Sequence, residues 1–298
     1  MKLFDVLNTN LPITCVVQGG GMRGTYSIAA LAELERLGYS DRFSAIYGSS
    51  AGALNASYFL ARQASEGIGI YIDYLSGKRF IDFSRIRPII DIDYLIDDVL
   101  STKVPLNKKT LINSQTDLYV YLTNAENGQK TRFYIQEEPI DVLMEILRAT
   151  AALPIVYGKE VVIHNGRFVD GGLVDQVPLF DALNDECENI LVILTRPLSF
   201  RVKTPSIYTK YFIKILSKAF GHSKGVVRLL GVNNGLMNAC MDALSGLRVI
   251  PNANIWVIAP PQNINLASRL TNEKEILIKT SKQAKIDVTL ALEKEKVC

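Results

Sequence analysis

Short apolar runs alternate with stretches of helical period along this chain. The run ITCVV (Ile13–Val17) has the pattern of a strand. In YSIAALAELERL (26–37), Ile28, Leu31 and Leu34 return to one helical face, and Gly38 stands where a C-terminal cap belongs. Residues 43–47 predict a second strand and 51–61 a second helix. Residues 118–122 and 132–135 predict a hairpin turning at Asn127-Gly128. A helix over 142–149 ends before Pro154, and a short strand through 168–169 closes into a turn at Asp170. ILVIL (190–194) and IWVI (255–258) are continuous apolar runs, expected of central strands buried on both faces. The polar tail 272–296 is helical in pattern, and the less regular 67–109 is expected to cap the sheet. Alternating strands and helices predict an α/β fold, a three-layer α/β/α sandwich with a mainly parallel central sheet. No linker or repeat divides the chain, so one domain is expected over 1–298, with a C-terminal part over 196–298.

With 298 residues, 48% of them hydrophobic and 21% charged, the chain can bury a core and is not disordered in composition. Its net charge of +3 selects no polyanionic partner, and no nucleic-acid motif is present. Cys15, Cys187, Cys240 and Cys298 show no C-x-x-C spacing or paired pattern, which favours a reduced, cytoplasmic compartment. The N-terminus lacks the apolar core of a signal peptide, and no run of about 18 apolar residues predicts a membrane span. Asp91, Asp93, Asp97 and Asp98 lack the glycine and spacing of a calcium loop, so they read as a solvated face and no metal is expected.

The charge is nevertheless uneven. Between Asn189 and Met241 there is no Asp or Glu, while Arg196, Arg201, Lys203, Lys224 and Arg228 all fall there. Within this stretch, YTKYFIKILSKAF sets Lys210, Lys214 and Lys218 on one helical face. Tyr208, Phe212, Ile215, Leu216 and Ala219 lie on the other. Two readings fit: a core-packed helix with a solvated lysine face, or a basic amphipathic helix lying on an anionic membrane.

Chemistry concentrates where the first strand ends, in ITCVVQGGGMRGT. So much glycine lets backbone N–H groups approach a negatively charged atom closely. Dinucleotide phosphates and an acyl-transfer oxyanion both qualify, and Gly19, Gly21 and Gly24 satisfy G-x-G-x-x-G. A dinucleotide site needs an acidic residue at the end of the next strand. Asp41 precedes that strand, which runs instead into Gly48-Ser49-Ser50-Ala51-Gly52. This is G-x-S-x-G between a strand and a helix, a turn that projects the Ser50 hydroxyl, with Gly48 and Gly52 avoiding clashes. A serine nucleophile needs a base. His164, His222 and Asp170 are the candidates, with Asp170 favoured by its place at a strand end before Gly171 and Gly172.

Taken in order, GGGMRG (19–24), GSSAG (48–52) and DGG (170–172) resemble the patatin-like phospholipase family, over roughly residues 11–195. The resemblance implies a Ser50–Asp170 dyad without histidine. It implies an oxyanion hole at Gly19, Gly20, Gly21, Arg23 and Gly24, and an aspartate motif completed by Gly171 and Gly172. Arg23 matches a basic position of the family, near the oxyanion or a lipid phosphate; its alternative is a surface arginine at a helix start. The implied activity is lipid acyl-ester hydrolysis of phospholipase A or lysophospholipase type, through an acyl-enzyme, with no metal or cofactor. A general esterase, a triacylglycerol lipase or an acyltransferase would use the same residues, and a dinucleotide-binding protein is the other-class alternative. The expected partners are a phospholipid or other acyl ester and, through Lys210, Lys214 and Lys218, the surface of an anionic inner membrane.

Overall fold

The computed structural model describes residues 1–85, 88–203, 206–219, 221–230, 235–248 and 250–297, with the side chains of Ile207 and Lys210 outside the description. Its sheet has eight strands: β1 (Ile13–Val17), β2 (Phe43–Ser49), β3 (Asp117–Asn124), β4 (Lys130–Tyr134), β5 (Val161–Ile163), β6 (Gly166–Asp170), β7 (Asn189–Ile193) and β8 (Asn254–Ile258). They lie in the order β5-β6-β3-β2-β1-β7-β8, with β4 paired to β3 beside that path. From β3 through β2, β1 and β7 to β8 every pairing is parallel. The hairpin β3–β4 and the pairings of β6 with β3 and β5 are antiparallel.

The alternation of side chains splits the core in two. Cys15, Val17, Leu191 and Ile193 join one cluster, and Val16, Ile190 and Val192 join another on the opposite face of the sheet. The first cluster is covered by helices α1 (Gly24–Arg36), α2 (Ala51–Leu60) and α3 (Leu143–Ala151), and by α7 (Lys274–Leu292). The second packs under α4 (Leu179–Asn184) and α6 (Gly235–Leu244), and between them in sequence lies α5 (Ile207–Ala219). The expected three layers are therefore present. Gly38 takes φ +84° as the cap of α1, and Gly128 takes φ +76° in the hairpin turn, both as the sequence predicts.

Two expectations change. The apolar run of β8 belongs to the last strand of the sheet and not to its centre. Its faces are covered all the same, with Ile255, Trp256 and Ile258 buried, and the Val297 N–H donates to Ile255 O along the free edge. The cap, 67–109, is more regular than its sequence suggests: it carries π-helical turns at Ile70–Tyr74 and Tyr94–Lys103 and buries Leu75, Phe80, Ile90 and Leu95.

The acidic cluster is solvated only in part: Asp97 and Asp98 are exposed, Asp91 and Asp93 are half-buried, and all four are ion-paired. Arg148, on α3, meets Asp93 at 2.6 Å, Asp97 at 2.6 Å and Glu145 at 3.1 Å. Lys159 also pairs with Asp93, and Arg79 with Asp91 and Asp98. Among the described residues no group of acids, histidines and cysteines could hold a metal ion. The pairs of Arg148 with Asp93 and Asp97 fasten the cap to α3. Arg148→Met removes a mostly buried guanidinium from three carboxylates that remain partly solvated, so we expect a loss of about 2–3 kcal/mol. Urea unfolding checks it: the midpoint falls while the slope stays constant.

Candidate active site

The serine turn forms where β2 runs into α2. Ser50 has φ 55° and ψ −133°, a conformation that costs a non-glycine residue about 1–3 kcal/mol and persists only when its surroundings enforce it. Enforcement comes from packing and from one hydrogen bond. A Cβ at Gly52 would overlap Val17 O, and one at Gly48 would lie 2.9 Å from Ala53 N. The Ser50 N–H donates to Thr150 Oγ1 at 2.9 Å, and that hydroxyl donates in turn to Tyr121 O at 2.8 Å. Ser50 so placed lines a cleft.

Asp170 ends β6 next to this turn. Its Oδ2 accepts from Ser50 Oγ at 2.8 Å and its Oδ1 from the Gly172 N–H at 2.6 Å. Gly171 passes against Tyr121 O, where a Cβ would not fit. Asp170 is 1% exposed, and burial pushes its pKa up to about 6, against the pull of the Ser50 and Gly172 bonds and of the Arg269 charge. The two histidines lie elsewhere. His164 is exposed beside Glu138, and His222 is buried with Nε2 2.7 Å from Pro154 O.

The glycine loop closes the third side. Gly19 packs on the serine turn, where a Cβ would come within 2.5 Å of Ser49 O. Its N–H donates to Gln176 O, and those of Met22 and Arg23 to Arg269 O and Gly20 O. Gln18 Oε1 accepts from the Thr195 N–H at 2.6 Å, and Thr195 Oγ1 donates to Gly19 O at 3.1 Å. Among the described residues the N–H groups of Gly20 and Gly21 remain without acceptors, and both glycines line the cleft with Ser50 and Asp170. Gly24 does not reach the cleft: its carbonyl accepts from Asn55 Nδ2, and it packs α1 against α2 and Tyr71. Arg23 is buried, contrary to the surface reading, and lines a neighbouring cavity.

The cleft measures 280 Å³, and its rim includes Ile213 of α5 and Leu229. A narrower apolar cavity opens on the other side of Ser50, walled by Met22, Leu54, Tyr71, Phe80, Ile90 and Leu95. The helix α5 decides against core packing: Tyr208 is 87% and Phe212 61% exposed, with Tyr211 and Ile215 also exposed. Lys214 and Lys218 are exposed as well, and the side chain of Lys210 lies outside the described residues. Asp41, the one acid near a dinucleotide spacing, pairs with Arg62. Thr150, Gln18, Thr195, Gln176 and Arg269 carried no local sequence signal, because each acts across a long separation in the chain.

The model of the patatin-like phospholipase family matches residues 15–183. YjjU of Escherichia coli K12 is 27% identical over 217 residues, 71% of this chain and 58% of YjjU. The mouse protein named 1-acylglycerol-3-phosphate O-acyltransferase Pnpla3 is 29% identical over 171 residues, 55% of this chain and 40% of its own length. The chain thus spans about half the length of these relatives. VipD from Legionella pneumophila superposes with a TM-score of 0.56 at 12% identity, over 97% of this chain and 68% of VipD, a likeness of fold.

The raised pKa of Asp170 makes a stability prediction. A carboxyl that holds its proton more tightly when folded stabilises the protein fully below its unfolded value near 4, and that contribution is lost as pH rises through about 6. Asp175, also raised to about 6 by burial, adds a parallel loss. Asp170→Asn removes only its own share. Its advantage over the wild type is expected to be small near pH 4 and to level off at about 3 kcal/mol above pH 7. Paired unfolding curves from pH 4 to 8 measure it, and a difference that does not change with pH contradicts it.

Proposed function

The chain belongs to the patatin-like phospholipase family, and from that premise we propose that it hydrolyses lipid acyl esters, with Ser50 as nucleophile and Asp170 as the proton carrier. The 2.8 Å hydrogen bond between Ser50 Oγ and Asp170 Oδ2, at the floor of a cleft with two unengaged backbone donors, carries this reading. Asp170 takes the hydroxyl proton as Ser50 Oγ attacks the ester carbonyl carbon. The Gly20 and Gly21 N–H groups hold the oxyanion, a contribution of about 100- to 1000-fold per donor in comparable sites. The tetrahedral intermediate collapses, Asp170 returns the proton to the leaving alkoxide, and an acyl-Ser50 ester remains. Water, deprotonated by Asp170, attacks the acyl carbonyl carbon, and the fatty acid leaves as Ser50 Oγ takes that proton from Asp170. A carboxyl with pKa about 6 suits both halves, because it ionises below neutral pH yet holds a proton readily.

Two surfaces support a lipid substrate. The apolar cavity beside Ser50 takes the acyl chain, and the cap supplies much of its wall. At the rim, α5 offers exposed aromatic residues and lysines, a pairing suited to an anionic lipid surface. The name of the mouse relative brings a second reading, acyl transfer, which differs only in an alcohol replacing water at the acyl-enzyme.

Ser50→Ala and Asp170→Asn are each expected to lower kcat by about 10⁴-fold or more. Mass spectrometry checks this with vesicles of phosphatidylcholine and phosphatidylglycerol bearing different chains at each position. A lysophospholipid acceptor in the same assay diverts product from free fatty acid to diacyl lipid if transfer is the activity. Substantial turnover by the aspartate variant would remove Asp170 from the mechanism. Tyr211→Ser combined with Phe212→Ser is expected to weaken flotation with anionic vesicles and to leave turnover of a soluble short-chain ester unchanged. Undiminished flotation assigns α5 some other task.

A further inference from the structure

Behind the apolar cavity beside Ser50 lies a second hollow. It measures 20 Å³ against 40 Å³ for the first, and Leu54, Tyr71, Leu75 and Leu95 line both. The two follow one face of α2 in steps of four residues: Ser50 and Leu54 border the first, Leu54 and Tyr58 the second. The cap supplies most of the partition through its two π-helical turns. Tyr71 belongs to the turn at Ile70–Tyr74, which Leu75 closes, and Leu95 to the turn at Tyr94–Lys103. Tyr71 is clamped. Its hydroxyl donates to Asn55 Oδ1 at 3.1 Å, and Asn55 Nδ2 donates to Gly24 O and Ser27 Oγ at 2.8 Å each. A Cβ at Gly24 would overlap the Tyr71 hydroxyl, so α1 backs the ring directly. Leu95 stands between Asp93 and Asp97, both held by Arg148. The polar groups of the second hollow are already engaged, because the Tyr58 hydroxyl donates to Val104 O and the Asn55 amide is bonded as above. A buried water needs two to four polar partners, so this hollow suits the end of a hydrocarbon chain.

We propose that this partition, with the Tyr71 ring as its fixed member, sets the length of acyl chain that the protein shelters. The inference rests on the reading of the first cavity as the acyl site and adds its depth. From Ser50 to Leu54 the helix rises about 6 Å, and from Leu54 to Tyr58 about 6 Å more. A carbon–carbon bond is about 1.5 Å long, and an extended chain gains slightly less than that per carbon. The first compartment therefore spans about five carbons beyond the carbonyl, and the second about five more. Each methylene sheltered from water strengthens binding about threefold to fourfold. That gain stops where the chain meets the Tyr71 ring, because the clamp on its hydroxyl opposes the rotation that would open the second compartment.

The test is the dependence of kcat/KM on chain length, with p-nitrophenyl esters from butanoyl to hexadecanoyl in mixed detergent micelles. The full chain is compared with its Tyr71→Ala, Leu95→Ala and Tyr71→Phe variants. The wild-type profile is expected to climb and then break near hexanoyl to octanoyl. Either alanine variant joins the compartments and is expected to move the break outward by about four carbons, raising the ratio of decanoyl to butanoyl kcat/KM about tenfold or more. Tyr71→Phe keeps the ring and is expected to keep the break, which a general loosening of the cap would not do. Calorimetry of free fatty acids of the same lengths with Ser50→Ala reads the break without any reaction. A binding break that moves with Tyr71→Ala, in a protein that cleaves no ester, upholds the partition and removes the hydrolytic reading. Cleavage with no break, or with a break that neither alanine variant moves, overturns the partition and leaves hydrolysis intact. A Tyr71→Phe break displaced as far as that of Tyr71→Ala also overturns it, and so does fatty-acid binding that is absent or independent of chain length.

Discussion

The Cα of Gly52 lies so close to the carbonyl oxygen of Val17 that a methyl group does not fit between them. Gly19 meets Ser49 O in the same way, and Gly171 meets Tyr121 O. These contacts join the ends of β1, β2 and β6 and the middle of β3, strands whose order in the sheet already sets them side by side. The site depends on this crowding. With a side chain at any of the three, the loops would have to part by about 1 Å, enough to stretch the hydrogen bonds that hold the serine turn. The strained backbone of Ser50 would then lose the walls that hold it. Close-packed backbone takes the place of the rigid support that other sites draw from large side chains.

Crowding also sets the electrostatics. Exclusion of water from the loops raises the pKa of the Asp170 carboxyl and lowers that of the Arg23 guanidinium, so opposite charges are both disfavoured within one small region. Arg269, exposed and placed on the walls of the cleft and of the adjoining cavity, is the charge that acts on both. Neither histidine takes part, so the electrostatic balance rests on carboxylate, guanidinium and backbone dipoles.

What was legible in the sequence follows from how far apart the interacting residues lie. β1, the hairpin turn at Gly128, the cap at Gly38 and the serine turn are each written in a few adjacent residues, and each stands where the pattern predicts. Ser50 and Asp170 are 120 residues apart, but each announces itself through its own glycines. Thr195 and Gln18 are 177 residues apart and have no such flanking signal, so their bond is visible only after folding. The β8 run misleads because an edge strand covered on both faces has the same composition as a central one. Helix α5 was ambiguous for a related reason: an apolar helical face has one pattern whether a core or solvent lies against it. The pairing of the acidic cluster turned on Arg148, some fifty residues away.

Helix α3 is short, and it carries two attachments close together. Arg148 grips the cap through Asp93 and Asp97, and two residues later Thr150 holds the backbone N–H of Ser50. The roof of the apolar cavity and the Ser50 turn are therefore fixed to one short helix less than a turn apart. A displacement of the cap large enough to widen that roof transmits tension to the serine turn without passing through the sheet. The width of the apolar cavity and the position of the Ser50 turn thus share one support.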